Sequence, residues 1–181
     1  MRALSVGCVG VGVESSTYKA RLLYVFIYRL FPYTGFVGKS HYTHGGGVNY
    51  LCLPPEPEFP DGATGGYQSQ SYVYGTEYER HNSPILDQSL HNNDVPCAVC
   101  DVTGRTRNLL IPAKTSCPAG WTKEYQGLLM SQHHTQKGSE YICVADGMET
   151  LAGGSDGRDG GLLYVVEAVC GSLKCLSAFD E

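Results

Sequence analysis

Two histidines recur in matching company: His41-x-Thr43 in "SHYTHGGGVNYLC" and His133-x-Thr135 in "SQHHTQKGSEYIC". With His44 and His134 beside them, these imidazoles have the chemistry of metal ligands or general bases. The motifs that would recruit them to a known reaction are absent: there is no His-Glu-x-x-His, no Gly-x-Ser-x-Gly elbow and no phosphate loop. A His-x-Thr pair also serves to close a turn, a role both copies would inherit. His41, Thr43, His133 and Thr135 are therefore candidate ligand-binding residues and, equally, candidate scaffold.

Other residues with chemical potential are weaker. Cys97-Ala98-Val99-Cys100 has the spacing of one zinc knuckle, but Cys170 and Cys175, with four residues between, are only marginally compatible with a matching second pair. No metal is expected on that basis. Asp156 and Asp159 in "GGSDGRDGG" are weak calcium candidates, since the loop lacks the alternating oxygen ligands and closing Glu of an EF-hand; a solvated turn explains it as well. A Cys–His catalytic pair is disfavoured because an oxidised cysteine is no nucleophile. Trp121 and the cluster Tyr67, Tyr72, Tyr74 and Tyr78 carry the rigid rings that stack on sugars or fill interfaces. Alternation puts Tyr72, Tyr74 and Tyr78 on one strand face, which argues first for core.

These residues must be held by a body of modest size. The chain has 181 residues, 42% of them hydrophobic, enough for one core. Gly (23) and Tyr (13) are abundant and only 17% of residues are charged, which favours short strands and turns over amphipathic helices. A net charge of −5 without a basic cluster excludes an electrostatic nucleic-acid footprint. The longest apolar runs, "LLYVFIY" (Leu22 to Tyr28) and the glycine-interrupted start up to Val13, are too short to span a membrane. The first reads as a buried strand and the second as a weak secretory signal.

The eight cysteines are spread as a disulfide framework would be, which implies an oxidising, extracellular compartment. Cys52, Cys97, Cys100, Cys117, Cys143, Cys170 and Cys175 are the disulfide candidates, with local closure of Cys170 to Cys175 the one pairing suggested. Cys8 would leave with a cleaved signal.

The histidine echo extends further. Tyr33-x-Gly35 matches Tyr125-x-Gly127, Tyr50 and Cys52 match Tyr141 and Cys143, and Tyr74 with Glu77 matches Tyr164 with Glu167, at an offset drifting from about 92 to about 90 residues. The expected fold is mostly β: two pseudo-symmetric halves of about 90 residues packed as one disulfide-bonded body. Residues 1–32 form a divergent N-terminal segment, 33–100 the first half-repeat, and 101–181 the second, shortened at its C-terminal end. Strands are expected in "GGVNYLCL", "YVYGTEYE", "SEYICV" and "GLLYVVEAV". "SPILDQSL" (Ser83 to Leu90) is expected to make two helical turns, with Ser83 as N-cap and Pro84 at the first position.

The ordered motifs "SHYTHGGGVNYLCLPPEPEF", "YGTEYE", "VPCAVC", "IPAKTSCPAGWTKEYQGLLMS", "YICVADGMET" and "LLYVVEAVCGSLKC" resemble the non-collagenous domain of invertebrate short-chain, spongin-type collagens and their collagen-free relatives. The resemblance covers roughly residues 33–175. It implies a secreted, disulfide-bonded structural or assembly module of extracellular matrix with no enzymatic activity and no cofactor, associating with itself or with collagenous chains. The chain departs from the family where "LLYVFIYRLFP" stands in place of a first-half counterpart of "KTSCP", and where no closing cysteine pair follows Cys175. There is no Gly-X-Y run to wind a triple helix. The rival reading is a lectin-like protein with two pseudo-equivalent glycan sites.

Overall fold

A computed structural model describes residues 5–9, 20–24, 33–63, 65–102, 109–169 and 173. Ten strands run in chain order: β1 (Ser5–Val9), β2 (Ala20–Tyr24), β3 (Tyr33–Lys39), β4 (Leu51–Leu53), β5 (Tyr74–Tyr78), β6 (Pro96–Val102), β7 (Leu109–Lys114), β8 (Gly127–Ser131), β9 (Ile142–Ala145) and β10 (Gly161–Val165). The fold is mostly β, a curled sheet in the form of a half-barrel. The sheet order is β2-β6-β3-β5-β10-β8-β1-β7, with β4 also on β3 and β9 also on β8. No described helix is long and apolar enough to cross a membrane.

The four segments with alternating apolar residues supply β4, β5, β9 and β10, as expected. The Leu22 to Tyr28 run contributes β2 up to Tyr24 and then passes outside the described residues. Part of the run read as a secretory signal forms β1, which lies between β8 and β7. The helix expected at Ser83 does not form. Asp87, not Ser83, is the capping residue: its Oδ1 accepts from Ser89 N–H at 2.8 Å and starts a single 3₁₀ turn, Gln88–Leu90. The Arg80 guanidinium donates to Leu86 O at 2.9 Å and so ties the preceding backbone to β5 rather than into a helical turn.

β3 and β8 are surrounded alike. β3 pairs with β6 at its start (Gly35 opposite Cys97), with β5 at its end (Lys39 opposite Tyr74), and with β4 along the other edge (Val37 opposite Cys52). β8 pairs with β1 at its start (Gly127 opposite Val6), with β10 at its end (Ser131 opposite Tyr164), and with β9 along the other edge (Leu129 opposite Cys143). Gly35 and Gly127 are required by close approach, because a Cβ at either would run into the carbonyl oxygen of Leu53 or Val144. Between the two groups, β5 and β10 pair in parallel, Leu162 opposite Glu77.

The main core joins Val37, Tyr50, Cys52, Tyr78, Val95, Cys97 and Val99 to Met130, Val144 and Leu163. A smaller cluster lies on the far side of β8 and β9, where Leu129 and Cys143 pack with Leu110, Tyr125 and Val166. Cys52 and Cys97 form a disulfide with Cα atoms 5.7 Å apart, tying β4 to β6 across β3. Cys143 is also disulfide-bonded. Cys117, a disulfide candidate by sequence, instead carries a free thiol. It follows β7, the terminal strand in the sheet order. Cys170 and Cys175 lie outside the described residues, and Cys100 is described only as backbone of β6.

Candidate functional site

The two histidine loops follow β3 and β8, and each is closed in the same way. His41 Nδ1 lies 2.9 Å from Thr43 Oγ1 and accepts from Thr43 N–H at 3.2 Å. His133 Nδ1 lies 2.9 Å from Thr135 Oγ1 and accepts from Thr135 N–H at 3.4 Å. A backbone N–H can only donate, so Nδ1 is the acceptor in both rings and the neutral proton sits on Nε2. Each ring also meets a tyrosine edge-on or tilted, His41 to Tyr74 of β5 at 5.1 Å and His133 to Tyr164 of β10 at 5.1 Å.

Both imidazoles are held below the ordinary histidine range. For His41 the causes are desolvation and then His44; for His133 they are desolvation, then His134 and His81. They are therefore neutral at physiological pH, with Nδ1 occupied by the turn and Nε2–H free to donate.

Around His41 the sheet leaves a cleft of about 450 Å³, lined by His44, Gln70, Tyr72 and Tyr74 among others. Rings continue outward from it: Tyr72 meets Tyr74 at 6.3 Å and Tyr67 at 5.4 Å, and Tyr67 is 82% exposed. The tyrosine run thus divides, with Tyr78 fully in the core and Tyr74, Tyr72 and Tyr67 progressively outside it. Trp121 is half-buried in the connection before β8, its backbone N–H donating to Pro118 O at 3.2 Å.

The two loops touch through backbone and through a buried lysine. Lys137 N–H donates to Tyr42 O and Glu140 N–H to Val48 O, at 3.0 and 3.1 Å. Tyr50 N–H donates to Glu140 Oε1 at 2.6 Å. Lys39 is 1% exposed, donates to Gln132 Oε1 and lies 5.7 Å from the Tyr50 ring centre. Burial lowers its pKa to about 8. The sequence held a clue to it: Lys39 shares the inward face of β3 with Val37 under strand alternation.

A second set went unrecognised as a cluster. Glu77 on β5 and Glu79 immediately after it are buried, and their carboxylates converge with that of Asp159. Asp156 does not join them; it pairs with Arg158 at 2.9 Å in solvent, as a surface turn would.

On the outer face of β3, β4 and the residues before β5, Phe36, Leu51 and Val73 are 43%, 41% and 54% exposed, with Leu53 between them. At the matching register on β8, β9 and β10, the counterparts of Phe36 and Leu51 are the half-buried Leu128 and Ile142, and those of Gly38, Leu53 and Val73 are Met130, Val144 and Leu163, all completely buried. No protein-family model matches the sequence, and no solved structure matches the fold.

Proposed function

We propose that this chain is a secreted, non-enzymatic structural module of the extracellular matrix, built from two homologous halves and assembling through contact with further copies of itself. The duplicated reading is supported by the matching neighbours of β3 and β8, the paired His–Thr turns and the two sterically required glycines.

The observation that carries assembly is the unequal fate of one face. In the second half, the face containing Met130 and Val144 is covered by the first half, whose opposite-handed side, Val37, Cys52 and Val99, packs over it. In the first half the same face offers Phe36, Leu51 and Val73 to solvent, with the half-buried Leu53 between them. A sheet face whose duplicate is buried is a vacant copy of an internal interface, and a second chain is its fitting occupant. The internal contact joins unlike faces, so repetition between chains is heterologous and extends head to tail.

The test is sedimentation velocity on the oxidised protein over a concentration series, beside Phe36→Ser/Leu51→Ser. The wild type is expected to associate and the variant to remain monomeric with an unchanged melting temperature. A wild type that stays monomeric at high concentration overturns the reading.

A second reading, a lectin-like protein, is favoured by the cleft of His41, Gln70, Tyr72 and Tyr74, which combines ring faces with hydrogen-bonding groups. A glycan array separates it: binding lost in Tyr72→Ala and His41→Ala supports a sugar site, and silence from folded protein removes it.

A further inference from the structure

Glu77 on β5 and Glu79 just past its end are two residues apart, and Glu79 N–H still donates to Leu163 O of β10 at 2.8 Å, so the extended backbone projects both to the same side. They are only 4% and 8% exposed. The glycine-rich loop before β10 folds over them: Glu77 Oε1 accepts from Arg158 N–H at 2.8 Å and Asp159 N–H at 3.1 Å. That loop contains Gly153 and Gly157 in the left-handed region, and Asp159 there too at φ 53°. The backbone is thereby bent so that the Asp159 carboxylate joins the other two, with one oxygen from each within 4.8 Å of the others.

Three carboxylates at this separation repel one another, and little opposes them. His91 Nδ1 sits 3.3 Å from Glu79 Oε2, while the Arg158 side chain is turned outward to Asp156. Asp94 adds a further negative charge nearby. An independent observation points to what is needed: Glu77 Oε2 is buried with no hydrogen-bond partner. A buried carboxylate oxygen without a donor bears an uncompensated desolvation cost.

We propose that Glu77, Glu79 and Asp159 form a binding site for a hard divalent cation, calcium. Calcium takes several oxygen ligands from carboxylates, carbonyls and water in flexible geometry, which suits two buried glutamates at the end of β5 and one loop residue. It is a better fit than zinc or copper, because the converging donors are all oxygen. Asp159 is exposed and gives the ion its route from solvent. The ion would supply the missing partner of Glu77 and pin the loop 152–160 to β5. Burial raises the pKa of both glutamates, Glu77 and Glu79, in keeping with charge awaiting compensation.

The experiment is thermal unfolding and isothermal titration of chelator-stripped, oxidised protein with calcium chloride, alongside Glu77→Gln and Asp159→Asn. For an extracellular site of ordinary affinity, about 10 mM calcium is expected to raise the wild-type melting temperature by roughly 3–10 °C. Both variants are expected to fold and to lose that response, Glu77→Gln melting at or above the wild type in chelator. No calcium shift in the wild type, or an equal shift in Asp159→Asn, overturns the proposal. Neither outcome bears on self-association, which is read by sedimentation.

Discussion

The outer faces of the β3–β4 and β8–β9 hairpins are built on the same register and meet different fates. On β8 and β9, Met130 and Val144 are sealed in the main core with Leu128 and Ile142 packed against it, whereas on β3 and β4 the counterparts of the last two, Phe36 and Leu51, are 43% and 41% exposed. The same local strand geometry therefore does not fix burial; what packs above the sheet does. The hairpin that is covered contributes to folding, and the hairpin left open is free to contribute to assembly. Side-chain choice follows: Gly38 leaves the open face low where Leu53 leans across it, while the corresponding Met130 fills the covered one.

The widest separation between the two faces should come from truncation. Met130→Ala is expected to cost about 2–5 kcal/mol in urea unfolding, and Leu51→Ala less than about 0.5 kcal/mol. Equal costs would break the comparison. Removing the Cys52–Cys97 bridge as a double alanine variant should cost about 2–5 kcal/mol and, since it joins β4 to β6, should weaken the open face by loosening its support. Loss of self-association at a temperature where the core is still folded would sharpen the distinction between the two hairpins.

The histidine loops offer a finer test. His41→Ala and His133→Ala remove the same turn-closing acceptor and are each expected to cost about 1 kcal/mol. Unequal costs would place a special role on the cleft side.

The carboxylates supply the pH dependence. Glu77, Glu79 and Asp94 are all raised, mainly by burial, so the unfolded chain releases these protons first. Their contribution is present below the unfolded carboxylate values and is lost as pH rises through the folded ones. His91, His81, Asp156, Arg158 and Asp159 face the same group and set its balance. In chelator, wild type relative to Glu77→Gln/Glu79→Gln should therefore lose stability from pH 4 to 7, as melting curves of the pair would report. Lys39→Met is expected to change stability by less than about 1 kcal/mol or to stabilise, because an apolar side chain of similar length avoids burying an ammonium, as urea unfolding would report.

Much of this molecule was legible in the sequence where periodicity was local. β4, β5, β9 and β10 follow from alternation, and the equal treatment of His41 and His133 follows from the repeated His-x-Thr. What depended on distant packing was not legible. Ser83 and Pro84 look like a helix start, but Asp87 competes for the same backbone and wins with two hydrogen bonds to Ser89. Glu77 and Glu79 read as ordinary polar strand residues, because nothing near them in sequence announces that a loop from residue 154 onward will cover them. Cys117 looks like any other cysteine of a framework until the sheet order leaves it beyond the last strand.

The position of β1 carries a consequence in time. This first strand lies between β7 and β8, so both of its neighbours are made much later than it is. At a synthesis rate of about 5–20 residues per second, β1 waits roughly 6–24 seconds for β8 to be made. The closing of the sheet is thus gated by the far end of the chain, and such non-local pairing is slow. Until then β1 lacks at least one of the two neighbours that the finished sheet gives it.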